Sequence, residues 1–131
     1  MSLNYKFEQT NWGLDITLKN HVCVKDLEHW FKKIFQDIDH VKLNKRFHLI
    51  LRLDNVDPLC EEVCNFLAIA RVYLIGKGLQ RSIILSDSSA KIVHLLRAFN
   101  VIGIYHDQRI LIDDPKGNEK AMKWVENGIE P

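Results

Sequence analysis

Apolar and polar residues alternate in two runs near the start of the chain: Leu3, Tyr5 and Phe7, then, past Gln9-Thr10-Asn11, Trp12, Leu14, Ile16 and Leu18 against Gly13, Asp15, Thr17 and Lys19. A period of two predicts strands with one buried face, and two such runs in succession predict an antiparallel hairpin. The period then changes. From Asp26, read as an N-cap, Leu27, Trp30, Phe31, Ile34, Phe35 and Ile38 recur at the spacing of one helical stripe, so an amphipathic helix follows.

Phe47-His48-Leu49-Ile50-Leu51-Arg52-Leu53 is almost continuously apolar, which suits a central strand covered on both faces. Asp54-Asn55-Val56-Asp57-Pro58 reads as a turn. A second helix is expected from about Leu59, with Leu59, Val63, Phe66, Leu67, Ala70 and Leu74 inward and Gly76-Lys77-Gly78 as its stop. Ser82-Ile83-Ile84-Leu85 repeats the buried-strand signature, and Ser86-Asp87-Ser88-Ser89 introduces a third helix with Ile92, Val93, Leu96 and Phe99 inward. Ile102-Gly103-Ile104-Tyr105 and Arg109-Ile110-Leu111-Ile112 read as two short strands or as one with a bulge. Ala121, Trp124 and Val125 mark a closing helix ended by Gly128.

This order predicts an α/β fold: a mixed β-sheet with an N-terminal antiparallel hairpin, right-handed βα crossovers and about four helices, in a single domain over residues 1–131. Loops beyond the strand C-termini are the natural binding edge of such sheets, which singles out Asp54 to Cys60 and Ser86 to Ser89.

Composition narrows the functional classes. With 131 residues, 47% of them hydrophobic and 27% charged, one core is expected. Eighteen basic groups against seventeen acidic ones leave a net charge of +1, spread evenly over both halves, and that balance argues against a nucleic-acid partner. Three cysteines, Cys23, Cys60 and Cys64, fit no disulfide framework, and neither a signal segment nor an apolar run of spanning length is apparent, so a cytoplasmic location is expected.

The central stretch resembles the STAS (anti-sigma-factor antagonist) family. The resemblance rests on Phe47 to Val56, the helix ending at Gly76-Lys77-Gly78, Ile83-Ile84-Leu85, and Ser89-Ala90-Lys91-Ile92-Val93-His94-Leu95-Leu96. The tail, Ile110-Leu111-Ile112-Asp113 and then Ala121-Met122-Lys123-Trp124-Val125, is similar to the SpoIIAA-like branch, itself distantly related to lipid-binding CRAL-TRIO domains. The match covers about residues 12–128 and has no invariant signature. It implies a non-catalytic regulatory binding module whose partner is an anti-sigma factor or kinase-like regulator. Family members carry an Asp-Ser-Ser-Gly-like phosphorylation motif at the start of the second helix. Cys60, Glu61, Glu62 and Val63 stand there instead, so a glutamate carboxylate replaces the phosphoacceptor serine.

The candidate partner-binding residues are accordingly Asp57, Cys60, Glu61, Glu62, Ser86, Asp87 and Ser88. Other readings of the same residues are blander. Cys60 and Cys64 lie one helical turn apart but lack the further ligands of a metal site, which favours a core or boundary role. The Ser86 to Ser89 run could hold an anion, yet it lacks phosphate-wrapping glycines and suits simple capping. Lys91, His94 and Arg97 make a weakly basic stripe that suits a solvated face. Trp12, Trp30 and Trp124 read as core fillers. No nucleophile–base arrangement, metal motif or cofactor motif stands out. The alternative function is a small-ligand or lipid carrier with an apolar pocket between the first helix, Trp30 to Phe35, and the sheet. Pairing of the hairpin edge into a homodimer is also left open.

Overall fold

The computed structural model describes residues 4–40, 46–102 and 107–131. Strands β1 (Tyr5–Gln9) and β2 (Gly13–Asn20) form the expected hairpin, and α1 (Val24–His40) leads to β3 (Phe47–Val56). Then come α2 (Glu61–Gly76), β4 (Leu79–Ser86), a 3-10 turn at Ala90–Ile92, α3 (Val93–Ile102), β5 (Gln108–Ile112) and α4 (Gly117–Asn127). The five strands lie in the sheet in chain order, β1-β2-β3-β4-β5; β1 and β2 are antiparallel and every other pair is parallel. The fold is α/β with a mixed sheet and four helices.

Alternation along the strands decides what each face buries. Leu14, Ile16 and Leu18 of β2, Leu49, Leu51 and Leu53 of β3, and Ile84 of β4 share one core with Leu27, Phe31 and Ile34 of α1, Val63, Leu67 and Leu74 of α2, and Leu95 and Phe99 of α3. Ile50 and Ile83 point to the other face, where α4 seats Ala121, Trp124 and Val125 against them. α1, α2 and α3 each join neighbouring parallel strands from the same face, so the three crossovers share one hand. Among the described residues only α4 lies on the far face, where it packs on β3 and β4.

At the start of β2 the backbone of β3 comes very close. Gly13 has φ +149°, and a Cβ at that position would fall 2.0 Å from the His48 carbonyl oxygen. Only glycine fits, because the obstructing atoms are backbone.

Several boundaries differ from the sequence reading. α1 begins at Val24, with Leu27 N–H bonded to the Cys23 carbonyl, so Asp26 lies in the first turn and is not the N-cap. There its charge still suits the positive helix end. The expected turn at 54–58 starts late: β3 runs through Val56, with Asn55 at φ +58° as an extra residue where the register shifts against Lys19 and Asn20. Trp12 packs with the α4 cluster instead of continuing the Leu14 face. The 3-10 turn at Ala90–Ile92 rotates α3, so Leu95 is buried and Val93 exposed. Ile102 ends α3, and Gly103, Ile104 and Tyr105 of the possible extra strand lie outside the described residues.

Two arginines stitch these layers together. Arg71 of α2 is buried and donates from Nε and Nη2 to Ser82 Oγ at 3.3 and 3.2 Å; Ser82 Oγ donates onward to Gln108 Oε1 at 2.7 Å. Its guanidinium also lies 5.5 Å from the Phe99 ring centroid. Burial pulls its pKa down to about 10, an effect the negative charge of Asp107 opposes. One side chain thus ties α2 to β4, β5 and α3. On the far face, Arg81 donates to the Trp124 and Val125 carbonyls at 2.8 and 3.1 Å, capping the C-terminal end of α4, while Trp124 Nε1 donates to the Ser82 carbonyl at 3.1 Å.

Truncating Arg71 should leave Ser82 and Gln108 short of a partner and open a hole. Arg71→Ala should cost about 2–4 kcal/mol in urea unfolding, and Arg71→Met, which refills the volume, about 1 kcal/mol or less. A similar loss in both variants would mean that the charge itself, not packing, carries the effect.

His48 supplies a pH dependence. Both ring nitrogens face Arg81 donors, the backbone N–H at 3.2 Å and Nη2 at 3.3 Å, and burial followed by the Arg81 charge pushes its pKa down to about 4. An unfolded histidine takes a proton near 6.5, so between these values the unfolded state binds more protons and stability falls as pH drops. Urea midpoints measured from pH 7 to 4 should decline, and His48→Gln should flatten the decline.

Candidate docking groove between the second and third helices

The two loops singled out by the sequence are neighbours in space. Leu59 N–H, just before α2, donates to the Lys91 carbonyl in the turn that follows β4 at 3.0 Å, and Asp57 N–H donates to the Asn20 carbonyl at 2.9 Å. The ends of β2, β3 and β4 are therefore laced into one edge. Within it the candidate residues have separate surroundings. Asp57 is exposed with its Oδ2 3.6 Å from His21 Nδ1. Cys60 occupies the N-cap of α2 without a side-chain capping bond, and Glu61 and Glu62 are exposed in its first turn. Asp87 pairs with Lys91 at 3.0 Å. Ser86 is buried; its Oγ donates to the Ser88 carbonyl at 3.0 Å and accepts from Ser88 N–H at 3.3 Å, a local turn that uses up its hydroxyl.

Glu61 is the member of this set that opens onto a groove. Between α2 and α3 lies a depression of about 470 Å³ lined by Glu61, Asn65, Ile69, His94, Arg97, Ala98 and Val101. Its floor is apolar. Its rim carries a carboxylate on the α2 side and the His94 and Arg97 side chains on the α3 side, so two members of the basic stripe border it. Ile69 is 66% exposed and Val101 87%, and Val72, Tyr73 and Ile75 extend the exposed apolar surface along α2. α2 is apolar nearly all round although one side of it faces water, a pattern that normally belongs to a helix buried on every side. The sequence carried this signal: Ile69, Val72, Tyr73 and Gly76 repeat at helical spacing opposite the Leu67 and Leu74 stripe. The inward stripe satisfies the core without them, so pattern reading aimed at the core passes over them.

Ser86 and Asp87 line a different surface. Beside the N-terminus of α4 the far face of the sheet stays open as a shallow cleft of about 820 Å³, bordered by Lys6, Thr17, Lys19, Arg52, Asp54 and Asp114 among others. Arg52 donates two parallel bonds to Asp15, Nε to Oδ1 at 3.0 Å and Nη2 to Oδ2 at 3.1 Å. Lys19 lies 3.8 Å from Asp54, and Lys120 donates to Asp114 at 2.7 Å. That bond, with one from Lys116 N–H, holds the Asp114 carboxyl below its usual range. Arg52, Lys19 and Asp114 each face an opposite charge, which gives much of this cleft the character of a solvated polar face. Among the described residues no group of three His, Cys, Asp or Glu side chains is placed to hold a metal ion.

A cavity of about 30 Å³, roughly the share of one water molecule, lies chiefly between α2 and the sheet, bounded by Leu67, Ala70 and Leu74 with Leu51, Ile84 and Phe31. Among the tryptophans, Trp124 is buried, whereas Trp30 and Trp12 are half-covered. No helix of the described residues is long and apolar enough to cross a membrane. No family model matches the chain, and searches of curated proteins and solved structures gave no significant match.

The two cysteines near the α2 N-terminus differ in chemistry. Cys60 is exposed; Cys64 is buried, its Sγ 4.0 Å from the Leu59 carbonyl, and burial followed by the neighbouring Cys60 pushes its pKa up to about 12. Iodoacetamide at pH 8 should label Cys60 in the native chain and Cys64 only after denaturation, as read by peptide mapping. Equal labelling rates would show that the α2 N-terminus opens in the native state.

Proposed function

We propose that this chain is a non-catalytic regulatory binding module that captures a protein partner in the α2–α3 groove. Glu61 at the N-terminus of α2 supplies the acidic side of the rim, and Asp57, Cys60 and Glu62 stand on the surface adjoining it. The observation that carries the reading is the exposed apolar surface of Ile69, Val72 and Val101 beside a two-signed polar rim. Apolar area of this kind costs solvation in the isolated chain and is recovered on burial against a partner. An amphipathic segment with apolar anchors and charges of both signs fits the groove's chemistry. The STAS resemblance adds the class of partner, an anti-sigma factor or kinase-like regulator in the cytoplasm. With a glutamate in place of the serine, the acidic charge is permanent and needs no phosphorylation.

Two variants test this. Ile69→Asp puts a charge on the groove floor, and the Glu61→Lys/Glu62→Lys pair inverts one rim; all three positions are exposed, so thermal midpoints should stay within a few degrees of the parent. Affinity capture with quantitative mass spectrometry should find a protein retained by the parent and depleted about tenfold or more by both variants. Equal retention by all three proteins would overturn the proposal.

A further inference from the structure

Among the described residues the edge of the sheet at β1 is open, and it carries a self-complementary pattern. β1 has one strand neighbour among the described residues, and its register against β2 is unbroken from Tyr5↔Leu18 to Gln9↔Leu14. Lys19 N–H donates to the Asn4 carbonyl and Thr10 N–H to the Gly13 carbonyl, so the even-numbered residues of β1 bond towards β2. By the alternation of an antiparallel ladder, Phe7 and Gln9 turn their backbone groups to the outer edge. Edges of this kind are usually blunted by proline, a bulge or unbalanced charge. Here the strand has no proline and no bulge, and its two charges, Lys6 and Glu8, are opposite and 3.1 Å apart on one face. The other face holds half-buried aromatics, with Tyr5 stacked on Trp30 of α1 at 4.9 Å and Phe7 beside the core.

We propose that β1 pairs antiparallel with β1 of a second copy about a two-fold axis through Phe7, making one continuous sheet across the dimer. In that register the two Phe7 residues exchange N–H···O=C bonds. Lys6 of each copy then lies directly opposite Glu8 of the other, in the closely spaced non-hydrogen-bonded position where cross-strand charges couple best. The two aromatic clusters meet beside the axis and cover each other. An isologous contact of this type closes on itself and leaves no further β1 edge. The occupant is a second copy because Lys6 and Glu8 match only when the facing strand carries the same pair in reverse order. The contact lies at the opposite end of the sheet order from β5 and does not use the α2–α3 groove.

Sedimentation equilibrium of the full chain over a concentration series tests the assignment. The parent should dimerise. Lys6→Glu and Glu8→Lys should each set like charges opposite one another twice and raise the dimer Kd about tenfold or more, while the Lys6→Glu/Glu8→Lys double variant restores the match and with it the dimer. Ile69→Asp should leave the dimer Kd unchanged. A monomeric parent overturns the proposal, as does a dimer indifferent to the single charge reversals. Dissociation by Ile69→Asp would also overturn it, assigning self-association to the helical face.

Discussion

The fold is organised by a strand that must lose water from both faces. Ile50 of β3 is completely buried on one side and Leu49, Leu51 and Leu53 are buried on the other. No arrangement with helices on one side only would shelter that sequence, since an exposed Ile50 face would forfeit on the order of 2 kcal/mol per large side chain. Three crossover helices cover one side as a by-product of the parallel connections. The other side needs a separate solution, and α4 provides it by laying Trp124 across β3 and β4.

That solution is local, and its extent explains the distribution of polar groups. α4 has eleven residues and covers the far face over β3 and β4, where Arg81 holds its last carbonyls and Arg109 lies 4.5 Å from the Trp124 ring. Beyond its reach the strand residues turn polar: Asp15 and Thr17 on β2, Arg52 and Asp54 on β3. Arg52 with Asp15 and Lys19 with Asp54 pair their charges there. On the helical side the position is reversed, because α2 has more apolar surface than its neighbours can cover. Unmet demand for burial therefore lies on the outer side of the helices and not on the sheet's exposed polar face.

The elements were largely legible because alternation and helical spacing state burial directly. Leu14, Ile16 and Leu18, and Leu27, Phe31 and Ile34, read as they pack. Positions governed by backbone conformation were less visible. Asn55 keeps β3 extended by adopting a left-handed conformation that its sequence context reads as a turn. A single 3-10 turn exchanges Val93 for Leu95 in the core. Arg71 escaped notice because a charge within an apolar stripe reads as its solvent edge, and only the arrival of Ser82, Gln108 and Phe99 from elsewhere in the chain lets it be buried. The candidate site was half legible for a similar reason. Loop chemistry pointed to Glu61, while the apolar residues beside it stand out only once the core is shown not to need them.

The chain-order arrangement of the strands also bears on how the molecule is assembled. Since each strand lies beside the one before it, each βα segment docks onto a surface already completed by the residues preceding it. Synthesis from the N-terminus can lengthen the sheet one strand at a time, with no early strand held open for a late one. The far face is the exception: Ile50 and Ile83 stay wet until α4, which follows β5, arrives. Until α4 docks, the sheet keeps one greasy flank over β3 and β4, so the order in which the two faces close follows the order of the chain.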